Sequence, residues 1–595
     1  RQGVLGRIHV ACAGCHVCAI FLSSALVTLP LFKSCGQKNT MKPAMLCSLL
    51  LAAGLSLSAC DNDADDDNPA PVEVKVIAFN DFHGNLKTPS GGVRMPDPAD
   101  ASKTVTVPAG GAEFLATWVA NLKARNPNNV VVSAGDLIGA SPLLSALFHD
   151  EPTIESMNLL GLDINAVGNH EFDEGKDELL RMQNGGCHPQ DGCQAGQFGG
   201  ARFKFLAANV VESASGKTVF PAYEIKRFNG IPVAFIGMTL AGTPSIVTPA
   251  GIAGLTFKGE ADTVNALVPE LQKQGVEAIA VVVHEGGLQT GFYNECKGIS
   301  GPLVDIVNKL DKAVDLVISG HTHQAYNCNI NGKLVTSAGQ YGTLLSEIDL
   351  KLSPASRDVI EAKAANLIVK TDVARDAKQT SLIDKFVALV SPLENRVVGT
   401  ASALLSRTAN TAGESSLGDI IADSQLAATA DAKFGGAQIA FMNPGGIRAD
   451  ITPAANGNVT YGQLFTVQPF GNSVVTMTLK GSEIKTLLEQ QWQGQSSPRI
   501  LQVSNGFSYQ WDNNRTVGDR VVPGSIKLNG VAIDAAASYR VTVNSFLASG
   551  GDNFVVLNNG TNRLGGAQDL DALEAWFKTR APVAPGAQNR IQRLN

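Results

Sequence analysis

The chain has 595 residues, more than one hydrophobic core supports, so two or more domains are expected. At 44% hydrophobic and 17% charged residues it can bury sizeable cores, which excludes a largely disordered protein. A net charge of −7 gives no basis for a nucleic-acid backbone binder, and no apolar run after residue 60 reaches the roughly 20 residues of a membrane helix.

Two signals compete before residue 73. Cys12-Ala13-Gly14-Cys15-His16 has the spacing of a c-type haem attachment site, but no helical haem-binding domain surrounds it. Met41-Lys42-Pro43, the apolar stretch Ala44–Leu57 and Leu57-Ser58-Ala59-Cys60 resemble a secretory signal closed by a bacterial lipobox. Residues 1–40 are then upstream sequence outside the native protein, 41–59 a signal peptide, Cys60 the lipidated residue and 60–72 an acidic tether that stays extended. This predicts export to a bacterial periplasm or cell surface, with the membrane reached through a lipid anchor at Cys60. The alternative is an ordinary signal peptide with an incidental cysteine. Of ten cysteines, Cys187, Cys193, Cys296 and Cys328 remain in the mature chain, where an oxidising compartment favours disulfides. Of three possible pairings the local one, Cys187–Cys193 with Cys296–Cys328, is expected, because Cys187 and Cys193 bracket a Gly/Pro-rich excursion.

From Val74 to about Val369, β-branched runs alternate with helical patterns, the mark of βαβ units. Predicted strands are Val74–Phe79, Val130–Ser133, Ile164–Val167, Phe205–Ala208, Val233–Ile236, Ala278–Val283 and Leu316–Ser319; Glu113–Ala124 and Asp262–Gln274 are predicted helices. Asp376–Val397 reads as a linker helix between region 73–375 and a second α/β region, 398–595. The latter has predicted strands Gln438–Phe441, Ser473–Leu479 and Tyr539–Val543.

Five strands of the first region run directly into residues that bind metals. In an open, doubly wound sheet the carboxyl ends of strands share one crevice, so Asp81, His83, Asp136, Asn169, His284, His321 and His323 are expected to meet. Carboxylates, an amide and imidazoles together suit Zn, Mn, Co or Fe better than Ca or Mg. Seven ligands are too many for one tetrahedral ion and imply two divalent ions about 3.5–4 Å apart. His170, beside Asn169, can stabilise developing charge or assist a leaving group. Asp173 can hold its proton; a helix N-cap is the alternative role for Asp173. His149 and His188 lie outside this pattern and are expected to be ordinary loop histidines.

Asp81-Phe82-His83, Gly135-Asp136, Gly168-Asn169-His170-Glu171, His284 and Gly320-His321-Thr322-His323 resemble, in full order, the calcineurin-like metallophosphoesterase signature. Phe79-Asn80-Asp81-Phe82-His83-Gly84 and Gly168-Asn169-His170-Glu171-Phe172-Asp173 resemble its 5′-nucleotidase branch. The resemblance covers about residues 73–595. It implies a four-layer αββα metallophosphoesterase domain (73–375), the linker helix (376–397) as a hinge, and a C-terminal α/β nucleotide-binding domain (398–595). It implies one metal on Asp81, His83 and His323, another on Asn169, His284 and His321, Asp136 bridging them, and in-line attack on phosphorus by metal-bridged hydroxide.

In the C-terminal region, Asn443-Pro444-Gly445-Gly446-Ile447-Arg448, Pro469-Phe470-Gly471-Asn472 and Asn544–Asp552 combine Gly pairs, aromatic rings and an arginine fork suited to phosphate. By the same resemblance Phe470 and Phe546 sandwich a base and Asp552 reads the ribose. Asn443, Gly446 and Arg448 meet the substrate near its phosphate, and Arg407 is a further substrate arginine. Thr411 stands where some relatives carry a second arginine, a departure that bears on the diphosphate of UDP-sugars or ADP. The function so implied is an exported dimetal phosphohydrolase acting on nucleoside 5′-monophosphates, with a nucleotide as substrate and no nucleic-acid polymer as partner. A 2′,3′-cyclic-nucleotide phosphodiesterase/3′-nucleotidase or a UDP-sugar hydrolase would share the metals. The reading from another class is an inactive surface nucleotide-binding protein.

Overall fold

Side-chain alternation in the strand Val72–Phe79 sets the layering of the N-terminal half. Val74, Val76 and Ala78 face one way, Ile77 and Phe79 the other, and both sets are buried. A strand buried on both faces needs a layer on each side. The computed structural model, which describes residues 69–595 except residue 249, shows those layers. The signal segment, Cys60 and Cys12–His16 lie outside the described residues.

One six-stranded sheet runs, edge to edge, Val359–Ile368, Leu344–Leu352, Val72–Phe79, Asn129–Ser133, Ile164–Ala166 and Lys204–Leu206, the last four parallel. The other runs Ala325–Ile330, Lys333–Ala338, Leu316–Ser319, Ala278–His284, Ile231–Thr239 and Tyr223–Phe228, its middle four parallel. They pack face to face through Val74, Val76, Val130 and Val132 of one and Phe235, Ala280, Val282 and Ile318 of the other. Outside, helices Ala112–Lys123 and Glu151–Leu160 cover the first sheet with Leu115, Val119, Ile154 and Met157. Helices Glu260–Lys273 and Pro302–Lys309 cover the second with Val264, Val268, Leu271, Leu303 and Val307. The four αββα layers are those implied by the resemblance. The strand pattern alone leaves open whether one sheet or two lies behind it, since an apolar run reads alike whether a sheet or a helix covers it.

The predicted linker helix spans Ala377–Glu394, capped by Asp376, whose carboxylate accepts from the amides of Lys378 and Gln379; Val397 already opens the next strand. It is no free spacer. Leu382, Ile383, Phe386 and Val390 belong to the core beneath the first sheet, with Phe386 edge-on to Phe148. The chain therefore leaves the N-terminal half at the Asn395–Arg396 step.

The C-terminal half is built on a mixed sheet ordered Gln502–Val503, Ile439–Met442, Ser538–Asn544, Ser473–Lys480 and Thr561–Gln568. Ile439–Met442 and Ser538–Asn544 are parallel and Ser473–Lys480 is antiparallel to the latter. The loops that follow Met442 and Asn544 and the loop that precedes Ser473 consequently share one sheet edge. Both expected local disulfides, Cys187–Cys193 and Cys296–Cys328, are formed. Among the described residues no helix is long and apolar enough to cross a membrane.

The two disulfides close loops of different size, with sequence separations of 6 and 32. In the chain-entropy account the larger loop stabilises by about 1.5 kcal/mol more. Calorimetry of the two Cys→Ser pair variants is expected to show the greater fall in melting temperature for Cys296/Cys328.

Candidate functional site

The ends of five parallel strands from both sheets deliver the expected ligands to one place. Phe79 leads to Asp81 and His83, Ser133 to Asp136, Ala166 to Asn169, and Ser319 to His321 and His323, while His284 is itself the last residue of its strand. The turns that make this possible are strained. Asp81 (φ 50°), His83 (46°), Asp136 (49°), His321 (69°) and His323 (56°) all adopt left-handed backbone, at about 1–2 kcal/mol each for a residue with a side chain.

The ligand atoms fall into two groups, Asp81/His83/His323 and Asp136/His284/His321, each lying within 4.8 Å of one another. Asn169 joins the second group: its Oδ1 is 3.2 Å from His284 Nε2 and 3.1 Å from His321 Nδ1. Asp136 Oδ2 lies between the groups, 3.0 Å from His284 Nε2 and 3.6 Å from His83 Nε2. Backbone carbonyls fix two of the rings, His83 Nδ1 donating to Gly139 O (2.8 Å) and His284 Nδ1 to Ala134 O (2.7 Å). In the neutral rings both Nε2 atoms are then bare lone pairs. His83 Nε2 faces His323 Nε2 at 3.2 Å, and His284 Nε2 faces a carboxylate and an amide oxygen. Lone pairs converging without a donor repel unless a cation lies among them, and imidazole held by a backbone carbonyl is the usual dress of a metal ligand. The donor set fits divalent ions of the Zn, Mn, Co or Fe class.

The electrostatics show the same demand for positive charge, which a proton on His284 Nε2 answers as well as a metal ion would. Burial opposes a charged His284, but the adjoining Asp136 carboxylate, with Asp81 and Glu171 further off, raises the imidazole to about 10. Burial, together with the charge on His284, pushes His321 down to about 3. Burial likewise holds His83 well below its ordinary value. Asp136 stays ionised well below the usual carboxylate range despite burial, because His284 and His170 face it. The pocket stabilises positive charge at its centre.

Glu171, quoted in the signature but given no role there, organises this centre. Its buried carboxylate accepts from the amides of Asp136 (3.0 Å), Leu137 (2.9 Å) and Gly168 (2.7 Å) and from Asn165 Nδ2 (3.2 Å). Burial and the nearby Asp136 raise it to about 7.

His170 hydrogen-bonds through Nδ1 to Asp173 Oδ2 at 2.7 Å. The following helix is capped by Gly175, so Asp173 is not its N-cap. Burial lowers and Asp173 and Asp136 raise the His170 imidazole, with a net rise. Phe470 lies flat against His170, ring centres 5.6 Å apart and planes 15° from parallel. Phe470 and Phe546 line a cavity of about 340 Å³ with Asp173, Asn443, Gly446 and Asn472. Arg407 and Arg448 line a second cleft of about 530 Å³ with Lys87 and Tyr341. Asn443 and Asp552 are buried and tied together, Asn443 Nδ2 donating to Asp552 Oδ2 (2.8 Å), while Asp552 Oδ1 pairs with Arg499. Arg499 carries no signal in the sequence; only the fold brings it to Asp552. His149 and His188 lie in loops, as expected, and stack on each other at 3.7 Å.

Residues 74–325 match the family model of the calcineurin-like phosphoesterases and residues 397–559 that of the 5′-nucleotidase C-terminal domain. The chain is 33% identical over 526 residues to the endonuclease YhcR of Bacillus subtilis, covering 88% of this chain and 41% of that protein. It is 31% identical to the cell wall protein Lmo0130 of Listeria monocytogenes, covering 81% of this chain and 64% of that one. It thus spans less than two thirds of either relative. The crystal structure of a 5′-nucleotidase precursor from Thermus thermophilus superposes with a TM-score of 0.71 at 28% identity, covering 88% of this chain and 99% of that one.

Glu171→Gln retains the shape but presents an amide N–H₂ to backbone donors. Metal content after dialysis, read by mass spectrometry, is expected to show affinity about 10–100-fold weaker with the fold intact, the usual cost of losing a group that orients ligands.

Proposed function

Because the chain belongs to the calcineurin-like phosphoesterases that carry a 5′-nucleotidase C-terminal domain, we propose that it is a metal-dependent phosphohydrolase releasing phosphate from nucleoside 5′-monophosphates. The observation that carries this reading is the convergence of seven side chains of metal-ligand type at the ends of five strands, with His170 linking that centre to a cavity bearing two phenylalanines. One ion would be held by Asp81, His83 and His323 and a second by Asn169, His284 and His321, with Asp136 shared. Bound there, the two ions supply Lewis-acid neutralisation of charge in an in-line displacement at phosphorus.

The chain's own groups do the rest. Asp173 fixes the Nδ1 proton of His170 and favours its charged form, so that the ring can neutralise a developing oxyanion or assist the leaving 5′-oxygen. Arg407 and Arg448 give the cleft guanidinium forks suited to phosphate. Phe470 and Phe546 take the base, with Asn443, Gly446 and Asp552 on the ribose and phosphate side. Since one face of Phe470 is spent on His170, a base using that face must separate the two rings. The Asn395–Arg396 step is where the C-terminal half can turn to allow it. Export and anchoring at Cys60 belong to the same reading, supported by the Met41–Cys60 pattern and the two disulfides.

The test is phosphate release from AMP, 3′-AMP, 2′,3′-cyclic AMP and UDP-glucose, with EDTA and after adding back Mn²⁺, Co²⁺ or Zn²⁺. Turnover of AMP above the others, abolished by EDTA and restored by metal, is expected; folded protein inert with every metal would overturn the proposal. His170→Asn is expected to lower kcat about 10²–10⁴-fold with metal content unchanged. Protonated His170 is lost as pH rises through its raised pKa, so kcat falls on the alkaline side. Asp173→Asn removes the carboxylate that raises it and should move that fall to lower pH.

A further inference from the structure

Away from the centre just described, three segments bring histidines and carboxylates together. His149 stands between the short helix Leu143–Ala146 and helix Glu151–Leu160, Glu174 and Glu178 lie at the start of helix Lys176–Asn184, and His188 and Asp191 sit in the loop closed by Cys187–Cys193. Ligand atoms of His149, Glu174, Glu178 and His188 all lie within 4.8 Å of one another. An ion with ligands at about 2.0–2.2 Å has a first shell about 4.0–4.4 Å across, so these atoms are close to one shell already.

His149 Nδ1 is 2.7 Å from Glu174 Oε2 and its Nε2 2.9 Å from Asp191 Oδ2. His188 stacks on it with planes 13° apart, and its Nδ1 accepts from the Asp191 amide at 3.2 Å. Glu178 is paired through both oxygens with Arg181, which an ion would have to share, whereas among the described residues Glu174 and Asp191 are met here only by the histidines. Arg181 is shared between Glu178 and Glu151, and Lys176 is turned to Glu212. The negative potential shows in His149, raised to about 9 chiefly by its bond to Glu174. The loop carrying His188 and Asp191 is held by its disulfide and by Gly192 N donating to His188 O, which keeps it in place before any ligand arrives.

We propose that His149, His188, Glu174 and Glu178, with Asp191 at the rim, form a separate site for a borderline transition-metal dication such as zinc. Two imidazoles with carboxylates are the donors such ions prefer. An ion there pins the disulfide loop to the start of both helices. His149 and Glu174 also line the 340 Å³ cavity with Phe470 and Phe546, so the ion fixes one wall of that cavity. The site stands whether or not the chain hydrolyses nucleotides.

The experiment counts zinc per full-length chain by equilibrium dialysis and elemental analysis in the wild type, Asp136→Asn, His188→Gln and the Asp136→Asn/His188→Gln pair. One zinc is expected to persist in Asp136→Asn and to vanish in the pair. The zinc-dependent rise in melting temperature in Asp136→Asn should vanish with it. His188→Gln alone should bind one ion fewer than the wild type. Equal zinc in folded wild type and His188→Gln would overturn the proposal and leave an ion-pair cluster only. If His188→Gln does not fold, Glu174→Gln is scored by the same counts.

Discussion

At the heart of the N-terminal half, imidazole nitrogens and amide and carboxylate oxygens crowd together at 3.0–3.2 Å around a place that demands positive charge. Burying such groups unpaired costs several kcal/mol per charge. The surrounding structure is arranged to hold them there. Five ligand residues accept left-handed backbone, two rings are anchored on carbonyls, and the Glu171 carboxylate gathers the amides of the loops carrying Asp136 and Asn169. The left-handed turns are a cost to a chain that merely has to fold. These devices make sense as the framework of a cation site, pre-strained so that the ligands need not move.

The framework rests on stacking two sheets. Each sheet by itself presents only part of the ligand set: Asp81, His83, Asp136 and Asn169 follow strands of one, His284, His321 and His323 strands of the other. The central layer of Val74, Val76, Val132, Phe235 and Val282 registers the sheets, and so brings the two halves of the site into contact. Close packing of that layer explains why a site tolerant of no slack is built on rigid elements and not on free loops.

The C-terminal half meets this centre through a single aromatic contact of consequence, Phe470 on His170, with Arg448 beside the same ring. The linker helix is packed into the first half through Phe386 and Val390, so the chain passes between the halves in the short step after Glu394.

Much of this was legible in the chain. Apolar strand runs ending in Asp81, Asp136, Asn169, His284 and His321 foretell that these side chains meet, because strand ends in parallel sheets collect on one side. The disulfide pairs were legible from their local spacing. Whether one sheet or two lay behind the runs was not, since burial by a helix and burial by a sheet leave the same apolar imprint. Glu171 stood in the signature, but its grip on three backbone amides has no sequence pattern, because backbone donors are the same at every residue. Arg499 beside Asp552, and His149 stacked on His188, are contacts between segments far apart in the chain, with nothing local to announce them. The sequence by itself determined which chemistries are present and at which strand ends. Tertiary structure alone decided which lone pairs face each other and which charges are shared, because those depend on distances that chain order does not encode.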